Sequence, residues 1–212
     1  MQVAWMSLMR TLDPGTMGGD TGSWAFLAAM FGVTLGGIFI VSTLIGVLTS
    51  GIEGKLEELR KGRSLVVEEG HTVILGWSSQ VFTVVEELVA ANANQARSCI
   101  TILADKDKVE MEDEIASKVG DMGRTRLVCR RGSPIELADL EIVNLRAARS
   151  IVILSPESSD PDAQVIKTLL AITNNPERRA EPYHVVAELH DRRNVEVARI
   201  AGGDEVELVV AD

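Results

Sequence analysis

The stretch Gly76-Trp77-Ser78-Ser79-Gln80-Val81 follows an apolar run, HTVIL, and stands where a dinucleotide-binding fold carries its GxGxxG turn. Only the first glycine is present; Ser78 and Val81 hold the other two positions. Gly76 can still make the tight turn, and a helix that starts after it points the positive end of its dipole at the loop. A side chain at the second position removes the room that a pyrophosphate needs. Asp105, with Lys106 beside it, ends the next apolar run, CITILA. An acid there can accept a hydrogen bond from a ribose hydroxyl, or it can cap the following helix. Arg130, Arg131, Gly132 and Ser133 close a third run, RLVCR. A guanidinium there can hold a phosphate or stay solvated. The candidate ligand-binding residues are therefore Gly76, Trp77, Ser78, Ser79, Asp105, Lys106, Arg130, Gly132 and Ser133.

Other constellations are weaker. Asp107, Glu110, Asp113 and Glu114 could coordinate a divalent cation, but their spacing is not that of an EF-hand loop, and an exposed helix face accounts for them. Asp13 and Asp20 bracket a glycine-rich turn; repeated around an axis, such carboxylates form rings that attract cations. His71, His184 and His190 are scattered, with no Ser-His-Asp or Cys-His arrangement, so no residues stand out for enzymatic chemistry. Cys99 and Cys129 sit inside apolar runs and read as buried, reduced thiols.

The elements that must position these groups follow from periodicity. Apolar runs at 71–75, 99–104, 126–130, 150–155, 183–189 and 205–210 read as strands. Helical patterns lie between them: Val81, Val84, Val85, Leu88 and Val89; a charged stretch near 107–119; a helix opened by the capping box Ser133-Pro134-Ile135-Glu136; one opened by Asp160-Pro161; and one near 194–201 that ends at Gly202-Gly203. Strands alternating with helices predict an α/β fold, a Rossmann-like, doubly wound parallel sheet.

Upstream, Trp24 to Thr49 is uninterrupted by charge. At about 1.5 Å per residue it is long enough to cross a hydrocarbon core of roughly 30 Å. Lys55, Arg60, Lys61 and Arg63 follow the run and Asp13 and Asp20 precede it, which predicts that residues 51–212 are cytoplasmic and that the protein sits in the cell membrane among lipid. Gly36, Gly37 and Gly46 within the run permit close helix packing, or a gating hinge. VAWMSLMRTL followed by TLDPGTMGGDTGS has the layout of a re-entrant pore loop, or of an ordinary external loop. The predicted organisation is residues 1–23 as pore helix and loop, 24–50 as the span, 51–63 as an amphipathic linker and 64–212 as the α/β domain. A net charge of −10 over 212 residues excludes a nucleic-acid partner that needs a basic face.

TLDPGTMGG, TLGGIFIVSTLIGVLTSGIEGKLEELRKGRS, HTVILGWS and GSPIELADLEIVNLRAARSIVILS together resemble bacterial relatives of the Castor/Pollux ion channels. The resemblance covers nearly the whole chain. It implies a homotetrameric cation channel, with an RCK domain (regulator of conductance of K+) similar to the NAD domain of the Trk potassium-uptake subunit. It also implies a selectivity filter at Asp13, Pro14, Gly15, Thr16, Met17, Gly18, Gly19 and Asp20, an inner pore helix at 24–49, and a permeating cation. The filter turn lacks the TVGYG pattern of potassium channels. The family's further spans and the second half of its gating domain are expected beyond 1–212, so the chain looks like a fragment or a reduced form. Two kinds of regulatory ligand stay open, an NAD-like nucleotide and a divalent cation such as Ca2+. The competing readings are a membrane-tethered NAD(P)-binding oxidoreductase and a non-conducting nucleotide-sensing partner of a separate pore.

Overall fold

Strand β1 (Thr72–Leu75) is buried at every position, as a central strand of a parallel sheet must be. In the computed structural model it pairs in parallel with β2 (Ser98–Ala104) on one side and β4 (Ser150–Ile153) on the other. With β3 (Thr125–Arg131), β5 (Val185–Leu189) and β6 (Val206–Val210) the order is β3-β2-β1-β4-β5-β6, all parallel. The structure describes residues 5, 9, 19, 21–60 and 64–211, with backbone alone at 55–60. The chain divides into two units, Met1–Glu57 and Glu58–Asp212.

The first unit holds helix α1 (Trp24–Arg60). Its segment Trp24–Gly54 is long and apolar enough to cross a membrane. Thr34 and Thr43 turn their hydroxyls back onto the carbonyls of Met30 and Phe39, at 3.0 and 2.8 Å, and so hide their polarity within the helix. Met30, Thr34 and Gly37 are buried, whereas Phe39, Ile40, Leu44, Ile45 and Leu48 are exposed. The helix is unbroken at Gly36, Gly37 and Gly46 and continues through the predicted linker as far as Arg60. Of the expected filter, only Gly19 is among the described residues.

In the second unit the two sheet faces are covered by different helices. On one face Ile74, Ile100, Ile102 and Cys129 pack against Val81 and Val85 of α2 (Gln80–Ala91) and Met111 and Ile115 of α3 (Lys108–Lys118). On the other, Val73, Leu75, Leu103, Ile151 and Ile153 pack against Leu140 of α4 (Leu137–Ile142), Val165 and Leu169 of α5 (Pro161–Thr173) and Ala198 of α6 (Val195–Gly202). Period-two alternation along each strand sends successive side chains to these two cores. The predicted start of α4 is corrected. Ser133–Glu136 form a turn closed by Glu136 N–H on the Ser133 carbonyl at 3.1 Å, and the helix begins at Leu137. The Asp139 carboxylate, not Glu136, reaches back, accepting from Ser133 N–H at 2.8 Å. The expected cap at Asp160 is present, accepting from Ala163 N–H, with Pro161 as the first helical residue.

The two thiols do not face each other: Cys99 is paired with Arg126 and Cys129 with Ile102. Burial pushes the Cys129 thiol up to about 12 and raises that of Cys99, so neither is nucleophilic at neutral pH.

Asp162 ties α5 to the turn after β5. Its carboxylate accepts from His190 N–H (2.8 Å), Asp191 N–H (3.0 Å) and Asn194 Nδ2 (2.7 Å). Burial works against its charge, but these hydrogen bonds prevail and hold its pKa below the usual carboxylate value. Because the folded pKa is depressed, the contribution is present above the unfolded pKa of about 3.9 and is lost as pH falls through the folded value. Asp162→Asn is expected to lower stability by about 2 kcal/mol at neutral pH, read by chemical denaturation of the detergent-solubilised chain. The deficit relative to wild type should shrink below roughly pH 4.

Candidate functional site

The order β3-β2-β1-β4-β5-β6 reverses direction between β1 and β4, and an open α/β sheet binds ligands outside the carboxyl ends of its strands at that point. A cleft of about 360 Å3 lies there. Gly76, Trp77, Asp105 and Ser133, all predicted from sequence, line it together with Pro134, Ile135, Leu154, Pro156, Ser158, Gln164 and Thr168. Gly76 takes a positive φ of 96°, and a Cβ there would stand 2.7 Å from the Leu154 carbonyl oxygen. The strand-end turn can pass the end of β4 only without a side chain.

Several predicted residues are committed elsewhere. Ser78 is buried, its hydroxyl without a partner among the described residues. Ser79 precedes α2, and its N–H donates to the Glu157 carboxylate at 3.2 Å. Lys106 pairs with Glu114 at 2.6 Å and stands 4.7 Å over the Trp77 ring, which meets Phe82 edge-on at 5.8 Å. Gly132 continues the ladder, donating to the Ala104 carbonyl, with Asp139 packed where its Cβ would be. Arg131 lies 3.7 Å from Asp105.

Arg130 does not line the cleft. Its Nε donates to the Ser64 carbonyl at 2.6 Å and its Nη1 to the Cys129 carbonyl at 2.9 Å, and burial lowers its pKa from the ordinary arginine value. Arg130 thus anchors a strap, residues 64–71, that leads into β1. Along this strap Val66 N–H donates to Ile142, Gly70 N–H to Ala147, Asn144 Nδ2 to the Glu68 carbonyl, and Glu68 pairs with Arg126. His71 Nε2 lies 2.9 Å from the Val143 carbonyl. Sequence reasoning missed the strap because its apolar pattern is a single buried Val66 between exposed Leu65 and Val67. It also missed the β4–α5 loop, although LSPESSDP after an apolar run marks a loop at the carboxyl edge.

Asp107, Glu112 and Glu114 are spent locally. Asp107 caps α3 by accepting from Val109 and Glu110 N–H, and Glu112 pairs with Lys108. No group of three or more His, Cys, Asp or Glu is placed to hold a metal ion among the described residues.

Residues 67–183 match the family described as the calcium-activated potassium channel slowpoke-like RCK domain. The chain is 36% identical over 209 residues to a probable ion channel CASTOR of Oryza sativa subsp. japonica, covering 98% of this chain and 23% of that protein. It is 34% identical over 212 residues to a probable ion channel POLLUX of Arabidopsis thaliana, covering 99% of this chain and 25% of that protein. The chain therefore spans between 23% and 25% of the length of these curated relatives. Among solved structures, the GsuK channel bound to NAD shares the fold, with a TM-score of 0.51 at 18% identity over 95% of this chain and 34% of that one.

Two substitutions test this geometry. Gly76→Ala should cost about 1–3 kcal/mol, because both φ and the Leu154 carbonyl oppose it; denaturant titration reads the loss. Arg130→Gln should speed amide hydrogen exchange at Val66 and Gly70 while leaving exchange in the buried strand β1 unchanged.

Proposed function

The chain belongs to the slowpoke-like RCK domain family, and from that premise we propose that it is a subunit of a membrane cation channel whose cytoplasmic RCK domain senses a ligand. The observation that carries this reading is the identity to named ion channels over 98% and 99% of the chain, a region that contains both the apolar helix and the sheet. Exposed Phe39, Ile40, Leu44, Ile45 and Leu48 suit a helix surrounded by lipid or by other apolar helices. The naming of the relatives as ion channels supports this reading over a tethered oxidoreductase.

The proposed assembly is a homotetramer that sets residues 13–20 around one axis as the selectivity filter, with residues 51–212 in the cytoplasm. Gly36, Gly37 and Gly46 are the proposed points of hinge motion in the inner helix. The regulatory site is the cleft at Gly76, Asp105 and Ser133. The stretch 133–147, which contains α4, reaches both ends of the coupling: Ser133, Pro134 and Ile135 line the cleft, and Ile142, Val143, Asn144 and Ala147 hold the strap. A ligand shifts such a device only through unequal affinity for its two states. The NAD held by the GsuK channel makes a nucleotide one candidate ligand for this cleft; a divalent cation such as Ca2+ is the other candidate regulatory ligand of the protein.

Purified protein reconstituted in planar bilayers is expected to pass cation current, and chemical cross-linking should trap a tetramer. Asp13→Asn and Asp20→Asn should each lower the conductance at low salt, where carboxylate rings concentrate cations most. Silence at every voltage and ligand condition would defeat conduction by this chain.

A further inference from the structure

A dinucleotide bound at this switch point places its diphosphate against the first turn of α2, held by free N–H groups and room left by glycine. The residues present do not fit that group. Ser79 N–H already donates to Glu157, Gly76 N–H to the Leu103 carbonyl at 2.9 Å, and Val81 N–H to the Ser78 carbonyl at 3.1 Å. Ser78 fills the second-glycine position with a buried side chain. Glu157 stands beside the cleft: its chain neighbours Pro156 and Ser158 line the cavity, and Ser158 N–H closes a tight turn onto the Pro156 carbonyl at 2.8 Å.

No cation is among the described residues that line the cleft. Asp105 is the one charged side chain among the described residues lining the cleft. The nearby cations are engaged: Lys106 with Glu114 and the Trp77 face, Arg131 near Asp105, and Arg130 with the Ser64 carbonyl. What the cleft offers instead is a carboxylate acceptor, the neutral polar groups of Ser133, Ser158, Gln164 and Thr168, and the apolar surfaces of Trp77, Ile135 and Leu154. Its volume of about 360 Å3 lies at the small end of the roughly 300–1,000 Å3 typical of ligand pockets.

We propose, resting on the reading of the cleft as the regulatory site, that it takes an uncharged ligand of nucleoside type and that the Glu157 carboxylate excludes diphosphates. Asp105 accepts from the sugar hydroxyls, the apolar wall receives the base, and Glu157 occupies the anion seat of α2. Glu157 is then the specificity-determining residue, a phosphate surrogate supplied by the chain itself.

The test is calorimetric titration of the full chain in detergent with adenosine, guanosine, cytidine and uridine and with their 5′-diphosphates. At least one nucleoside should bind, with its diphosphate weaker by about tenfold or more through like-charge repulsion. Glu157→Gln keeps the shape and removes the charge. It should bring that diphosphate to within about threefold of the nucleoside. Asp105→Asn should weaken the nucleoside by about tenfold. A wild-type protein that binds the diphosphate as tightly as the nucleoside overturns the proposal. So does a ratio that Glu157→Gln leaves unaltered, and so does binding of no nucleoside at all. Nucleoside binding that never alters bilayer current would leave this selectivity standing and defeat the regulatory reading instead.

Discussion

The parallel pairing of β1 with β4 is the constraint from which the rest follows. Leu75 opposite Ile153 ends the central ladder, and the chain leaves β1 for α2 on one face and β4 for α5 on the other. Two connections that diverge to opposite faces must leave a crevice between them. The crevice is kept narrow by Gly76, whose missing Cβ lets the turn pass within contact distance of the Leu154 carbonyl. Cleft, helix terminus and crossing loop are all consequences of that one pairing.

The sheet was legible from the sequence because burial writes itself as apolar runs. HTVIL, CITILA and SIVILS are continuous because both of their faces are covered, and all three are strands within a residue or two of the expected limits. The cap at Asp160 was legible because Asp-Pro at a helix start has a local cause. The start of α4 was not, because Ser133-Pro134-Ile135-Glu136 fits a capping box and an isolated turn equally well. The choice between them is made by Asp139, which uses its carboxylate on Ser133 N–H. Local sequence cannot rank two local solutions when a side chain further along decides.

The chemical character of the cleft was less legible than its position. Residue types at strand ends place Asp105, Lys106 and Arg130 near one another, but what each can offer a ligand depends on what already holds it. Arg130, counted as a phosphate binder by type, spends its Nε on the Ser64 carbonyl, 66 positions away in the chain. Glu157, unremarked by type, reaches Ser79 across 78 positions. Both contacts link segments that the sheet order alone brings together. A cation at a sheet edge is therefore no evidence for an anion site until its partners are known.

Helix α1 and the sheet unit answer opposite solvent demands within one chain. The sheet unit hides most of its large apolar side chains in two cores. Along α1, Met30, Thr34 and Gly37 are covered while Phe39, Ile40, Leu44, Ile45 and Leu48 are bare. A contiguous apolar surface of that kind is unfavourable in water, and burying it is worth roughly 25 cal/mol for each Å2 removed. Thr34 and Thr43 turn their hydroxyls onto carbonyls of the same helix, the arrangement expected where no water competes for them. Those two self-satisfied hydroxyls and the uncharged exposed face agree: the helix is built for apolar surroundings on most of its circumference, and Gly36, with nothing within 4 Å of where its Cβ would stand, leaves space for another helix to approach closely.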